Sequence, residues 1–364
     1  MFELFSPIKC LLSREPVTID NIVFRLHCRM TVIILTTFSI LITAKQFVGD
    51  PISCIADGTI DKESIDAYCW IYSTFTIARH LRGVPGRHIA NAGIGQGLPN
   101  DEIHHHRYYQ WVCLVLALQA IVFYSPRALW IVRERGTVAL LSRDLTSPLL
   151  RDVWSQERKE QLVEYFATTH LHAHTYYALS FFFCEILNFI NVIVQILLLN
   201  VLLEGQFLKY GSSVVEFESE TKPFERVDPM SRLFPKVSKC TIYTYGSSGS
   251  VQTKDALCVL PLNVVNEKTF VFLWFWLIFL AFAGAVAIIY RIIVLTQAHA
   301  RIYLLRASTR TVPLSQIQTI VKTLNFGDWF LLYQLSRNVN PIVYRELITE
   351  LANKFSGKYY SHVA

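Results

Sequence analysis

No glycine-rich phosphate loop, nucleophile elbow or zinc-protease motif occurs in the 364 residues, so the usual sequence grounds for expecting an enzyme are missing. Charged residues are scarce at 17%, whereas hydrophobic residues reach 52% and mean hydropathy is positive at +0.34. That balance argues against the pair of soluble domains this length would otherwise suggest. No small-residue cleavage site follows the first apolar run, so that run is expected to stay as an anchor rather than be removed as a leader. The net charge of +6 gathers beside apolar runs and in a basic tail after Arg291, so nucleic acid is not an expected partner.

What the chain has instead is four apolar segments, and no fifth. About 20 apolar residues suffice for a helix to cross a hydrocarbon core of roughly 30 Å. The chain divides into an N-terminal segment 1–22, spans 23–48, 108–132, 176–203 and 269–295, loops 49–107, 133–175 and 204–268, and a C-terminal region 296–364. The fold class expected is an all-α membrane protein: a four-helix transmembrane bundle, a small disulfide-braced extracellular loop layer and a helical cytoplasmic region. An even number of spans puts both termini on one side. Arg25, Arg29, Arg127, Arg133, Arg135, Arg291, Arg301 and Arg306 flank the spans on the terminal side, against only Lys45, Arg107, Lys209 and Lys268 opposite. Basic residues near span ends favour the cytoplasm, so both termini are expected on the cytoplasmic side of a plasma membrane.

Loops 49–107 and 204–268 are then extracellular, and loops of roughly sixty residues are seldom structureless. Each carries two cysteines, Cys54 and Cys69 in the first and Cys240 and Cys258 in the second. An even set in an oxidising compartment points to two disulfides rather than free thiols, with three connectivities open. Intervals of fourteen and seventeen intervening residues do not suit structural zinc. Cys10, Cys28, Cys113 and Cys184 are most simply small apolar residues. Neither loop carries an Asn-x-Ser/Thr sequon, through chance or because the surface must meet another protein without glycan in the way.

On the cytoplasmic side, Ile317, Ile320, Val321 and Leu324 recur at helical spacing, and the stretches DWFLLYQLSRNV and PIVYRELITELANKF also look helical. Pro341 suits a first helical turn. Trp154, Leu162, Tyr165 and Phe166 form a weaker pattern of the same kind, so a packed helical layer is expected there.

Polar residues inside the spans are the candidates for function. Glu185, Asn188, Asn191 and Gln195 lie within about a third of one helix's circumference. A mid-span carboxylate costs about 2.5 to 3.5 kcal/mol facing lipid, so this stripe should face other helices, with interhelical hydrogen bonding preferred over pore lining. Thr36, Ser39 and Thr43 form a milder stripe in the first span that suits a wet pore wall or close packing. Pro126 should kink or end the second span, for architecture or for gating. At the amino terminus, Phe2, Phe5, Ile8 and Leu12 make a short amphipathic face that could lie on the membrane or fold into a pore. The histidine groups 104–106 and 170–174 fall on opposite sides of the membrane, so they cannot converge on one metal. Neither a metal nor a cofactor is expected.

The string Tyr108-Tyr109-Gln110-Trp111-Val112 at the start of the second span, with CIADGTIDKESIDAYCWIYS, the run from Lys239 to Trp276 and the tail phrase GDWFLLYQLSRNVNP, resembles the innexins, which form invertebrate gap junctions. The resemblance covers nearly the whole chain and includes the two-plus-two cysteines; connexins, with three per loop, fit less well. It implies octameric hemichannels, alone or mixed with other innexins, that dock through their outer loops. It also implies bonds from Cys54 to Cys258 and from Cys69 to Cys240. A pore constriction formed by the segment that includes Met1, Phe2, Glu3 and Phe5 follows from it too, with Thr36, Ser39 and Thr43 as weaker candidates. The tail ending at Ala364 looks short for the family.

The function expected is passive passage of ions and small metabolites between adjoining cells, with no reaction catalysed and selectivity set by the pore lining. The alternatives are an undocked hemichannel that releases small molecules and an adhesion or scaffold protein without a pore.

Overall fold

Four helices of the computed structural model are long and apolar enough to cross a membrane: Ile22–Val48, Val112–Glu134, His174–Leu202 and Pro261–Thr296. The structure describes residues 17–56, 61–81, 87, 89, 91–143, 145, 154–168, 173–219, 228–309 and 311–363. The amino-terminal pore candidates Met1, Phe2, Glu3 and Phe5 lie outside the described residues. In chain order the helices are α1 (Ile22–Val48), α2 (Lys62–Tyr72), α3 (Val112–Glu134), α4 (Thr137–Ser142), α5 (Gln156–Thr168), α6 (Ala173–Leu202) and α7 (Phe207–Ser219). They continue as α8 (Pro229–Leu233), α9 (Pro261–Thr296), α10 (Ala298–Ser308), α11 (Leu314–Thr323), α12 (Phe326–Leu335) and α13 (Pro341–Val363). The strands are β1 (Ser53–Ile55), β2 (Thr74–Ile77), β3 (Ile103–His106), β4 (Val237–Tyr245) and β5 (Val251–Val259).

The mostly helical character follows from the apolar runs, but one difference from the sequence-based expectation matters. The fourth membrane helix begins at Pro261 rather than near 269, because a first-turn proline lacks only an N–H that would have had no helical partner. Of the two alternatives open for Pro126, a kink or an end, the end does not occur: α3 runs through it to Glu134.

Contacts divide the chain into two compact units, one made of residues 1–31, 122–191 and 281–364 and the other of 32–121 and 192–280. The first is helical among its described residues. Its core gathers Trp130, Phe181, Trp329, Phe330 and Tyr344, all essentially buried. Ile317, Ile320 and Val321 of α11 and Leu162 and Phe166 of α5 join them, which is the helical spacing of the sequence turned into packing. Gly327 of α12 lies flush against the backbone of His174 and Thr175: a Cβ there would come within 2.3 Å of the His174 carbonyl carbon. Asn338 ties the chain before α1 to the end of α12, accepting from Thr18 N at 2.6 Å and donating to Thr18 O at 2.9 Å.

The second unit holds a five-stranded antiparallel sheet in the order β1-β5-β4-β2-β3. An ordered loop layer was expected, but its sheet was not. β4 and β5 form a long hairpin closed by a turn in which Gly246 N donates to Ser250 O at 2.7 Å and Gly249 adopts φ +80°. Along β4, Ser238, Cys240 and Ile242 are buried while the residues between them are less so, the period of two of a strand with one covered face.

Candidate functional site

The loop layer is held by two disulfides. Cys54 of β1 is bonded to Cys258 of β5, its direct partner in the sheet register. Cys69 of α2 is bonded to Cys240 of β4, which fastens the helix to the sheet. The sulfurs of Cys54, Cys69 and Cys258 lie within 4.8 Å of one another, but all are taken up in disulfides and offer no thiolate to a metal. Each bridge joins the first loop to the second across the two spans between them. Ordinary bridges of this kind contribute about 2–4 kcal/mol.

The string at residues 108–112 is the brace between this layer and α3. Tyr109 is fully buried, stacks near Trp70 of α2 with ring centroids 4.6 Å apart, and donates from its hydroxyl to Cys69 O at 3.5 Å. Gln110 Nε2 donates to Trp70 O at 2.6 Å. Tyr108 meets Phe234 edge-to-face at 5.3 Å, Val112 is buried, and Trp111 alone of the five is exposed, at 59%. The motif therefore fixes the helix that carries Cys69.

His104, His105 and His106 lie on β3 after Ile103, and successive side chains there take opposite faces. His106 is buried and its Nε2 lies 2.9 Å from Thr76 Oγ1. Burial, with His104 and His105 close by, pushes its pKa down to about 4. In the second histidine group, His174 lies 2.6 Å from Asp328 and 2.8 Å from the Tyr165 hydroxyl, while His170 and His172 lie outside the described residues.

Within the spans, Glu185, Asn188, Asn191 and Gln195 are all buried. Glu185 accepts from Arg291 of α9 and from Asn21 Nδ2, and Asn188 Oδ1 accepts from Cys28 Sγ at 3.0 Å. Asn191 Nδ2 donates to Val122 O at 3.5 Å, and Ser125 Oγ donates to the same oxygen at 2.9 Å. That carbonyl lies four residues before Pro126, where the missing N–H would have reached it, so these two side chains satisfy the helix through the proline. Two interactions had no sequence signal of their own: the Glu185–Arg291 pair, and the buried pair Arg127 Nε–Asp20 Oδ2 at 3.0 Å. Both arginines look like flanking charge in the sequence.

On α1, Ser39 is buried and donates to Cys113 O of α3 at 2.9 Å, the close-packing alternative for that hydroxyl. Thr36 is half-buried and bonds back to Val32 O at 2.7 Å, and Thr43 is half-buried. The face left open on α1 carries Thr37, Leu41, Ala44 and Val48, a set that the hydroxyl-based reading of the sequence did not single out.

Four helices apolar enough to cross a membrane, two disulfides joining the loops between them and polar groups turned into the protein define a multi-pass membrane protein with a covalently braced loop layer. The family described as Innexin matches residues 20–355 of this chain, so the chain belongs to the innexin family, whose members are gap-junction channel subunits. It is 51% identical over 359 residues to Innexin inx2 of Schistocerca americana, across 98% of this chain and 99% of that protein. Innexin inx2 of Drosophila melanogaster is 49% identical over 362 residues, covering 99% and 98% of the two chains. Innexin shaking-B of the same species is 40% identical over 365 residues, covering 100% and 97%. The chain is accordingly a multi-pass membrane protein of gap junctions and a subunit of oligomeric channels, in a family that forms channels and is not enzymatic.

Proposed function

We propose that the chain assembles with further copies, alone or with other innexins, around a central pore, the octamer being the number its family implies. Both termini are cytoplasmic, so the sheet layer of the second unit is extracellular and meets its counterpart on the adjoining cell. The docked channel passes ions and small metabolites without catalysing a reaction. The amino-terminal segment with Met1, Phe2, Glu3 and Phe5 narrows the pore, with Thr36 and Thr43 behind it.

The observation that carries docking is the double covalent closure of the layer, Cys54–Cys258 and Cys69–Cys240, with Tyr243, Tyr245 and Val251 of the β4–β5 hairpin exposed at 61%, 81% and 64%. Aromatic and apolar residues held on a rigid, covalently fixed scaffold suit a protein–protein contact. Expression in paired cells tests this. Junctional conductance is expected, and current confined to non-junctional membrane in well-contacted pairs would instead make the protein an undocked hemichannel. Purified protein in liposomes that passes neither ions nor dye would make it a scaffold.

A further inference from the structure

A cavity of about 510 Å³ in the second unit opens where α3 begins and α6 ends, between Arg107, Trp111, Leu202, Glu204 and Arg232. It shares Arg232, Gln206 and Leu233 with a neighbouring cavity of about 310 Å³ that adds Lys209. Among the described residues, the side chains of Arg107, Arg232 and Lys209 have neither a hydrogen bond nor an ion pair, and Glu204 is the one acid lining the two cavities. Guanidinium groups are the side chains best shaped to grip a phosphate at two points.

Below this basic mouth the surface turns apolar. Trp111, just before α3, and Leu114, Leu118 and Ile121 of α3 recur at i, i+3, i+7 and i+10 and are 59%, 59%, 57% and 68% exposed. Leu197 and Val201 of α6 are likewise exposed. At 1.5 Å per residue the α3 stripe is about 15 Å long, half of the roughly 30 Å hydrocarbon core, which is the depth of one leaflet. Trp111 stands at the junction, the depth that interfacial tryptophans prefer.

We propose that this cavity binds the phosphodiester of a membrane phospholipid, held by Arg107 and Arg232 with Lys209 alongside, its acyl chains lying on the α3 stripe. Cations above and a leaflet-length apolar face below match an amphipathic anion. A small soluble anion would leave the stripe unused, and a second copy of this chain would have to bring an acid to the arginines.

The test uses the full-length protein purified as an assembled oligomer and titrated with phosphatidylglycerol under native mass spectrometry. Saturable binding approaching one lipid per subunit is expected, weakened by about tenfold for each of Arg107→Gln and Arg232→Gln, with inorganic phosphate in millimolar excess failing to displace it. Wild-type lipid retention in the double variant overturns the proposal, and so does displacement by inorganic phosphate, which would make this a free-anion site. Peptide mapping of both disulfides checks that the variants are folded. Should they not fold, the wild-type oligomer in phospholipid nanodiscs decides by imaging: elongated density running from Arg107 along α3 supports the lipid, and protein density from a neighbouring copy in that place refutes it.

Discussion

Arg291 holds Glu185 at two points, Nε to Oε2 at 2.6 Å and Nη2 to Oε1 at 3.1 Å, within a pair of helices each long enough to cross a membrane. The guanidinium also stands 5.0 to 5.4 Å from the ring centres of Phe181, Phe182 and Phe330. A charge buried this way is tolerable only while its partner stays. Glu185→Ala should therefore cost roughly 3–5 kcal/mol, whereas replacing both residues by Met should recover most of that loss. Thermal unfolding of the solubilised protein measures both, and equal losses in the single and double variants would contradict the pairing.

The carbonyl that Pro126 leaves open makes a second test. Asn191→Leu should destabilise the wild-type by about 1 kcal/mol and cost less in a Pro126→Ala background, where a helix N–H again reaches Val122 O. A double-mutant cycle with no coupling would mean that Asn191 serves another contact.

Cys54→Ser should abolish junctional conductance while leaving membrane insertion intact, because the apolar spans do not depend on the bridge. Each lost disulfide should cost about 2–5 kcal/mol of loop-layer stability. Cys54→Ser and Cys258→Ser should be equivalent, and the pair together no worse than either alone. Paired-cell recordings with surface labelling check all three variants.

Acid should loosen β2 and β3. Unfolded, His106 takes up a proton near pH 6.5; folded, it does so only near pH 4. Stability is thus insensitive to this group above pH 6.5 and falls as pH drops from 6.5 to 4, by roughly 3 kcal/mol in all. Protection factors for hydrogen exchange at Thr74–Ile77, corrected for the intrinsic pH dependence, should fall as pH drops through that window in the wild-type and much less in His106→Gln.

Gly327→Ala should disrupt the first unit, since the added methyl would meet the backbone of His174 and Thr175, which has no rotamer to yield. A loss of roughly 1–3 kcal/mol or more is expected, read as lowered surface expression and thermal stability. An unchanged variant would mean that α12 and α6 sit further apart.

Local signals carried the helical part of this fold. Leucine- and phenylalanine-rich runs announced the spans, and Ile317, Ile320 and Val321 announced α11, because a helix advertises its buried face within a few residues. The sheet stayed hidden for the opposite reason. Cys54 pairs with Cys258, 204 residues away, and β1 to β3 are only three or four residues long, too short for alternation to stand out, whereas the nine-residue β4 and β5 carried an alternation that the helical reading of the chain passed over. The stripe on the third span was legible as polarity to be buried. Its chief partner was not, because Arg291 comes 106 residues later and counts, by position, as an ordinary flanking charge. Ser39 shows the limit of a hydroxyl pattern: the same spacing serves a pore wall or a helix contact, and only the Cys113 carbonyl distinguishes them.

The two disulfides are nested, the inner closing over 171 residues and the outer over 204, and both enclose α3, α6 and everything between. The molecule is therefore a closed covalent circuit with two loose ends. A protease that cuts once between α4 and α5 would release nothing: the halves would stay linked through the loop layer and come apart only when both bridges are reduced.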